Sequence, residues 1–596
     1  MDEQMTPDGD ADAESRGHRA TTDEGGFVLP WFALMLLVLI AMAGFGVDVW
    51  SWWYTAQKTQ RAADAGALAG VVFMPGDPAT ATSTALFTVN NNGYPDSAAS
   101  VAVGVKPNQL VVTISQTVNN SFTSLLGLAT TTISRSATAE FNEPVKMGSP
   151  QAHIANDPEH PPVDQHWLNI GAPRINKQTG DRYADYANCS GAFACVGGVN
   201  DEYLDSTYVF TVEVPPGSPN IDIQVYDPEY ANGGTTCNQN WAGLTPANIN
   251  GLMTSFPQKF PASDNPLNRY NTGASMWCTG DDNTSLGTPQ ATAWLVRGPT
   301  GNQFQPLTND VLPAGGIAGS GPGASGSCTK QFKGYNSDFY TLLNPDPANP
   351  SFDPDFYASF HRWYTLCTIT GAPPGRYFVQ VRSNVPLQGT PSITNLTQPE
   401  DPPQDSDLAG QNRYSIRAVT SGTNSYATGV TVYAQEHLPI YSNVLNNASQ
   451  TPQFYLARLV PGGGASGRIL QLTFYDIGDV GGGTTTITVS PPNDMSGSPP
   501  TCTWTANNGA AMPTSGSIGG PGGCTVSGIT STAYPTGFNG TLIRADIKVF
   551  GDYNCTTADP FGCWFRIQMS YTSGAQANDT TTWDANIGGD PVRLVK

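Results

Sequence analysis

Charge is scarce in this chain. Asp, Glu, Lys and Arg make up 13% of its 596 residues, about half the ~25% usual in soluble domains. What charge there is leans acidic, with a net of −21 and a pI near 4.5. An acidic exterior repels phosphate, which argues against nucleic acid or anionic headgroups as partners for the bulk of the protein. Histidine is rarer still, with six in all and none after His437. No G-x-S-x-G elbow is present, and Ser325 and Ser466 sit in glycine loops. A Ser-His-Asp mechanism therefore has no placeable partners. No P-loop occurs, and no dinucleotide fingerprint opens a helix. Carboxylates are plentiful but not paired at any identifiable place, so a glycosidase is neither supported nor excluded. Cysteine is absent from the first 188 residues, and long apolar runs are absent everywhere but one place.

That place is Phe27–Val49, 23 residues with one charge, Asp48. A bilayer core takes about 20 apolar residues of helix, and the backbone inside it must bond to itself. Pro30 falls in the first turn, where its missing N–H costs little. The run leads into Trp50-Ser51-Trp52-Trp53-Tyr54, an aromatic belt, instead of a small-residue cleavage site. The expectation is an uncleaved single-pass anchor that contacts the lipid bilayer through Phe27 to Val49.

Residues 1–25 are acidic and without apolar periodicity, and are expected to form a disordered cytoplasmic tail. Residues 26–73 read as one transmembrane and extended helix. Its outer part carries Ala62, Ala63, Gly66, Ala67 and Gly70 at helical spacing. Such a face serves either close packing on the chain's own domain or approach of another helix. Residues 74–141 read as a small α+β stem. It has a helix over Thr80–Asn91, strands over Ser100–Val105, Gln109–Val118 and Thr130–Phe141, and a helical turn over Phe122–Leu128.

These residues carry a family resemblance. G-x-x-V-D from Gly44 to Asp48, an aromatic turn, and Q-x-A-A-D-A-x-A-L-A from Gln60 to Ala69 resemble the TadE/TadG-like Flp pilus-assembly proteins. The likeness extends over roughly residues 25–141. Processed pilins of that class carry Glu at the fifth position after the leader glycine. After Gly26 that position is Trp31, which resembles the uncleaved TadG-like branch. The D-x-S-x-S metal site of von Willebrand A domains, frequent in that branch, is missing. Asp281-Asp282-Asn283-Thr284-Ser285 has the wrong composition for it.

Residues 142–165 form a Pro-rich, polar linker in this reading. It holds His153, His160, Asp157, Glu159 and Asp164, with His166 just beyond. They offer either a loose metal site or ordinary linker polarity, and no periodic element fixes a ligand geometry. Residues 166–435 read as a first mainly-β sandwich. Tyr208–Val214 and Ile221–Tyr226 alternate about a Pro-Gly turn, and Ala293–Arg297, Trp363–Thr368, Gly375–Arg382 and Gln411–Val419 follow. The pattern resembles pre-peptidase C-terminal-like and carbohydrate-binding jelly rolls. Residues 450–596 repeat the theme, with Phe454–Val460, a Pro-Gly turn and Arg468–Tyr475.

All ten cysteines follow the span, and their wide spacings suit disulfides in an oxidising compartment better than zinc. They imply a cytoplasmic N-terminus and an extracytoplasmic bulk. Cys555 with Cys563, and Cys502 with Cys524, are close enough in sequence to staple hairpin loops. At the ends of matching strands, Asp476 with Asp479, and Asp227 with Glu229, offer oxygen ligands for calcium, though Asp is also what a turn there prefers. The fold class expected is an N-terminal transmembrane helix extended into a small α+β stem, followed by two jelly-roll-like sandwiches. The function implied by the resemblance is non-catalytic: an envelope component of Flp/Tad pilus assembly that meets pilin or secretion-platform helices. The alternative is a tethered adhesin, carbohydrate-binding protein or hydrolase that uses the anchor for display.

Overall fold

A computed structural model describes residues 25–74, 78–106, 108–161, 166–171, 177–183, 200, 202–204, 208–231, 277–281, 291–298, 324–325, 328–332, 334, 359–383, 410–444, 451–461, 469–507, 516–517, 524–531, 538–588 and 592–595. The tail, Asp164, Cys189, Cys195, Cys237 and most of the Gly/Ser-rich stretch 314–327 lie outside them.

One helix, Gly25–Val71, runs unbroken for 47 residues, about 70 Å. Its first half is apolar on nearly every side and long enough to cross a membrane, and among the described residues little covers it before Gly44. Its second half packs on the stem. There a helix Pro78–Asn91 and a sheet ordered Ala99–Val103, Gln109–Asn119, Thr130–Phe141, Val592–Val595 enclose a small core. The fourth strand comes from the far end of the sequence. It pairs antiparallel with Thr130–Phe141, and Arg593 reaches the buried Glu140 at 3.3 Å. Local patterning in the stem gave no hint of that partner.

Beyond the stem stand two large antiparallel sheets whose facing residues form one continuous core. The strands foreseen over Ala293–Arg297, Trp363–Thr368, Gly375–Arg382 and Gln411–Val419 are present, each one residue longer. The internal repeat is also present. In chain order, Val209–Val214, Ile221–Tyr226, Thr292–Arg297, Thr329–Phe332, Trp363–Ile369, Gly375–Ser383 and Gln411–Thr420 take the same sheet positions as seven later strands. Those are Gln453–Arg458, Ile469–Tyr475, Thr485–Ser490, Cys524–Ile529, Leu542–Lys548, Trp564–Tyr571 and Gln576–Ile587. Outward from the junction, the equivalent strands recur in the same order in both halves of each sheet, so the halves are related by a pseudo-two-fold relation.

The halves are not beads on a string. Both sheets run straight through from one half to the other. His437–Val444 joins them in the larger sheet, pairing with Gln576–Ile587 on one side and His166–Gly171 on the other. Lys146–Gly148 joins them in the ten-stranded sheet. Thus the segment read as a polar linker, 142–165, contributes two short strands, Lys146–Gly148 and His153–Ile154, and is largely buried. Its backbone groups find ladder partners, and its charges find partners in the sheet, so its polar composition does not leave it in solvent.

Three disulfides lie among the described residues: Cys328–Cys367, Cys502–Cys524 and Cys555–Cys563. The first two each tie a strand of one sheet to a strand of the other.

Candidate functional site

The residues of the G-x-x-V-D motif meet the stem where the apolar span ends. Asp48, the only charge in the span, is 2% exposed. Its carboxylate accepts the backbone N–H of Ser121 (2.7 Å), Phe122 (2.9 Å) and Thr123 (2.7 Å), and the Thr123 hydroxyl at 3.0 Å. A carboxylate that accepts so many donors is held in one place, its charge solvated by them where it sits. One turn earlier, Gly44 lies against the Phe122 ring so closely that a Cβ would stand 2.2 Å from Cδ2. One turn later, Trp52 Nε1 donates to Asn120 Oδ1 at 2.8 Å. These three contacts clamp the tip of the stem hairpin to the helix.

The small-residue face further along has a partner within the chain. Ala62, Ala63 and Ala67 are buried, Gly66 abuts Val89 and Val112, and Gly70 abuts Ala81 and Leu110. Small residues here admit the Pro78–Asn91 helix and the hairpin. The large apolar side chains the helix exposes lie instead between Val28 and Tyr54.

The calcium candidates fall into two separate pairs. Asp227 and Asp476 follow equivalent strands, and both adopt left-handed backbone, φ 53° and 59°. Each uses its carboxylate and its N–H to hold the start of the neighbouring strand. Asp227 accepts His361 N–H at 2.9 Å and donates to Arg362 O at 3.0 Å. Asp476 accepts Gly540 N–H and donates to Thr541 O at 3.1 Å. The two strands have four others between them, about 24 Å at ~4.8 Å per strand, so the pairs form no common site. Glu229 is buried and accepts the Ser359 hydroxyl, and Asp479 accepts the Asn539 amide. Burial, then the neighbouring Asp479, pushes the Asp476 carboxyl well above the usual range; burial raises Asp479 also. Asp476 Oδ2 has no hydrogen-bond partner. Two buried carboxyls this close favour a retained proton. Among the described residues, the one group of three metal-capable side chains is Asp494, Cys555 and Cys563, and its thiols are spent in a disulfide.

Among the described histidines and carboxylates of 153–166, Asp157 and His160 meet, but no three of them come together as a metal-binding group. Asp157 is buried and binds Arg417 Nη1 (3.0 Å), Tyr426 OH (2.9 Å), Trp363 Nε1 (3.1 Å) and His160 Nδ1 (3.0 Å). Glu159 takes the other Arg417 amino group at 3.0 Å. His153 and His160 both stack on Tyr426, while His166 packs on Phe454. Burial pushes the Asp157 carboxyl up, but the Arg417 charge and these hydrogen bonds outweigh it and hold it below its ordinary value.

Sequence patterning gave no sign of a cleft where the halves meet in the ten-stranded sheet. It measures about 730 Å³ and is lined by Lys146, Glu213, Arg376, Tyr433, Arg458 and Trp564 among others. Glu213 pairs with Lys146 and accepts the Tyr433 hydroxyl at 3.1 Å; Arg376 binds Glu143 at 2.9 Å. Burial raises Glu213, yet Lys146 and Arg376 outweigh it and keep the carboxyl below its usual range. Both aromatic rings are almost wholly buried, and Lys146 covers that of Tyr433 at 4.5 Å, so neither offers a sugar an open face. Residues from six strands build this cleft, and none of them stands in a motif.

Residues 26–74 match the family model described as Flp pilus-assembly TadE/G-like. No curated protein and no solved structure matches the chain.

Proposed function

We propose that this is a membrane-anchored, extracytoplasmic component of Flp/Tad-type pilus assembly, structural in role and not catalytic. The observation that carries the reading is the clamp of Gly44 and Asp48 on residues 120–123. The motif residues of the matched segment join a membrane helix rigidly to an ectodomain. A tether for display needs only an apolar run and a flexible connection. Here the connection is a continuous helix locked at its exit, which transmits position and force between membrane and exterior. The disulfides support an oxidising, extracytoplasmic location for the bulk and a cytoplasmic N-terminus. Pilin or secretion-platform helices are the proposed partners of the exposed half of the helix.

The test is in-cell photocrosslinking from Phe45, which is exposed, with adducts identified by mass. Pilin or pilus-machinery adducts are expected. Lipid adducts alone would leave the helix a plain anchor. A second reading, a tethered ligand-binding ectodomain, draws on the cleft with its shifted Glu213. Loss of surface binding on Glu213→Gln with pilus assembly intact would favour it.

A further inference from the structure

The stem hairpin lies antiparallel along the helix. Leu110 packs at Gly70, Val112 at Gly66, Asn120 at Trp52 and Phe122 at Gly44. From Gly70 to Gly44 the helix covers about 39 Å, and from Leu110 to Phe122 the strand covers about 40 Å, so the two end together. The hairpin tip therefore reaches Gly44, five residues inside the end of the apolar run at Val49, a depth of about 7 Å.

We propose that this tip, residues 121–129, enters the bilayer beside the helix and gives the protein a second membrane contact. The occupant of its apolar surface is lipid. Leu125, Leu126 and Leu128 are 79%, 74% and 62% exposed, and no other described part of the chain covers them. No charged residue occurs from Gln109 to Ser134. The depth is that of an interfacial segment, which buries its apolar face ~5–10 Å into the headgroup boundary. Trp50, Trp53 and Tyr54, all exposed, lie just outward of it, where aromatic side chains mark the membrane surface.

Backbone at that depth must be satisfied without water. Most of the N–H groups of the tip have a partner within the chain. Asp48 accepts three of its N–H groups. Leu125 donates to Phe122 O, Gly127 to Ser124 O and Leu128 to Thr123 O, while the Asn120 amide donates to Leu128 O. Asp48 thus brings the acceptor the tip needs, and the tip brings the donors the only charge in the span needs. With helix and tip both seated, tilting of the ectodomain about the membrane exit is restrained.

The experiment uses the full chain in vesicles of phosphatidylethanolamine and phosphatidylglycerol. Among the described residues no native cysteine is free, so an introduced thiol can carry an environment-sensitive dye. Leu126→Cys is compared with Ser83→Cys, exposed on the stem helix, and Leu37→Cys, mid-span. The expected result is a blue-shifted dye at Leu126, quenched by lipids spin-labelled near the headgroup, with Ser83 unshifted and unquenched. Equal behaviour of Leu126 and Ser83, with Leu37 quenched, overturns the proposal while leaving the anchor in place. Failure at Leu37 overturns the membrane-spanning reading itself. A photoreactive residue at Leu125 in cells separates occupants. Lipid adducts support the proposal, and adducts solely with another protein overturn it.

Discussion

Arg417 and Asp584 occupy the same position in the two halves of the sandwich and carry opposite charges. Arg417 faces Gln224 across the ladder, two residues before Tyr226; Asp584 faces Thr473, two residues before Tyr475. Each is also paired with a histidine on its other flank, His153 and His437. Arg417 receives Asp157 and Glu159 from the segment 146–160. Asp584 receives Arg182 at 2.6 Å, Tyr183 OH at 2.9 Å and His437 Nδ1 at 2.8 Å. The repeat has kept a buried ionic node and inverted its sign. In each half the counter-charge comes from outside the repeated strands, so the nodes fasten irregular segments to the sheet.

Breaking one node should cost more than deleting it. Arg417→Met strands Asp157 in the interior, and removing one partner of a buried pair costs about 3–5 kcal/mol. Adding Asp157→Asn to Arg417→Met should recover part of that. Denaturant unfolding of the full chain in detergent measures all three variants. Additive losses would refute coupling between the two residues.

The same nodes set the acid limit. Asp157 is held below its ordinary value by Arg417 against burial. Burial also raises Asp584, but His437 and Arg182 outweigh it. A carboxyl depressed on folding contributes stability that is present above its unfolded pKa, about 3.9. It is lost as pH falls through the lower folded value. Melting temperature should therefore hold down to about pH 4 and drop below it. Arg417→Met should show a shallower drop.

Asp476 and Asp479 work in the opposite direction. Both carboxyls are raised by burial, so the folded state keeps a proton that the unfolded chain releases. Their contribution falls as pH rises above about 4 toward the folded values. In chelator at pH 8, Asp476→Asn should melt above the parent chain. If calcium occupies the pair, calcium should raise the melting temperature of the parent and not of the variant.

Loss of the acceptor at Asp48 should open the hairpin tip. Asp48→Ala should speed amide exchange at Ser121, Phe122 and Thr123, read by hydrogen–deuterium exchange, while the sandwich strands keep their protection. Gly44→Leu should do the same by displacing the Phe122 ring. Unchanged exchange in both variants would argue against the clamp.

Removing the Cys502–Cys524 link releases a loop with a sequence separation of 22 between two sheets. Replacing both with Ser should cost about 2–4 kcal/mol. The deficit should vanish when parent and variant are compared under full reduction.

The sequence alone determined the elements whose signal is local. The apolar span, the stem helix, the Gln109 and Thr130 strands and most sandwich strands follow from periodicity and turn residues, because a helix or a half-buried strand writes its face into neighbouring positions. The strand–turn–strand repeat was legible for the same reason, as was the pairing of the nearby cysteines 555 and 563. Tertiary structure alone decided the rest. Val592–Val595 joins the stem, and Lys146–Gly148 joins the halves, through ladders between residues hundreds of positions apart. Arg182 meets Asp584 across 402 positions. The polar stretch 142–165 reads as linker because composition reports how much charge a segment carries and not where its counter-charge lies. The small-residue helix face likewise announces close packing, but only the folded chain says with what.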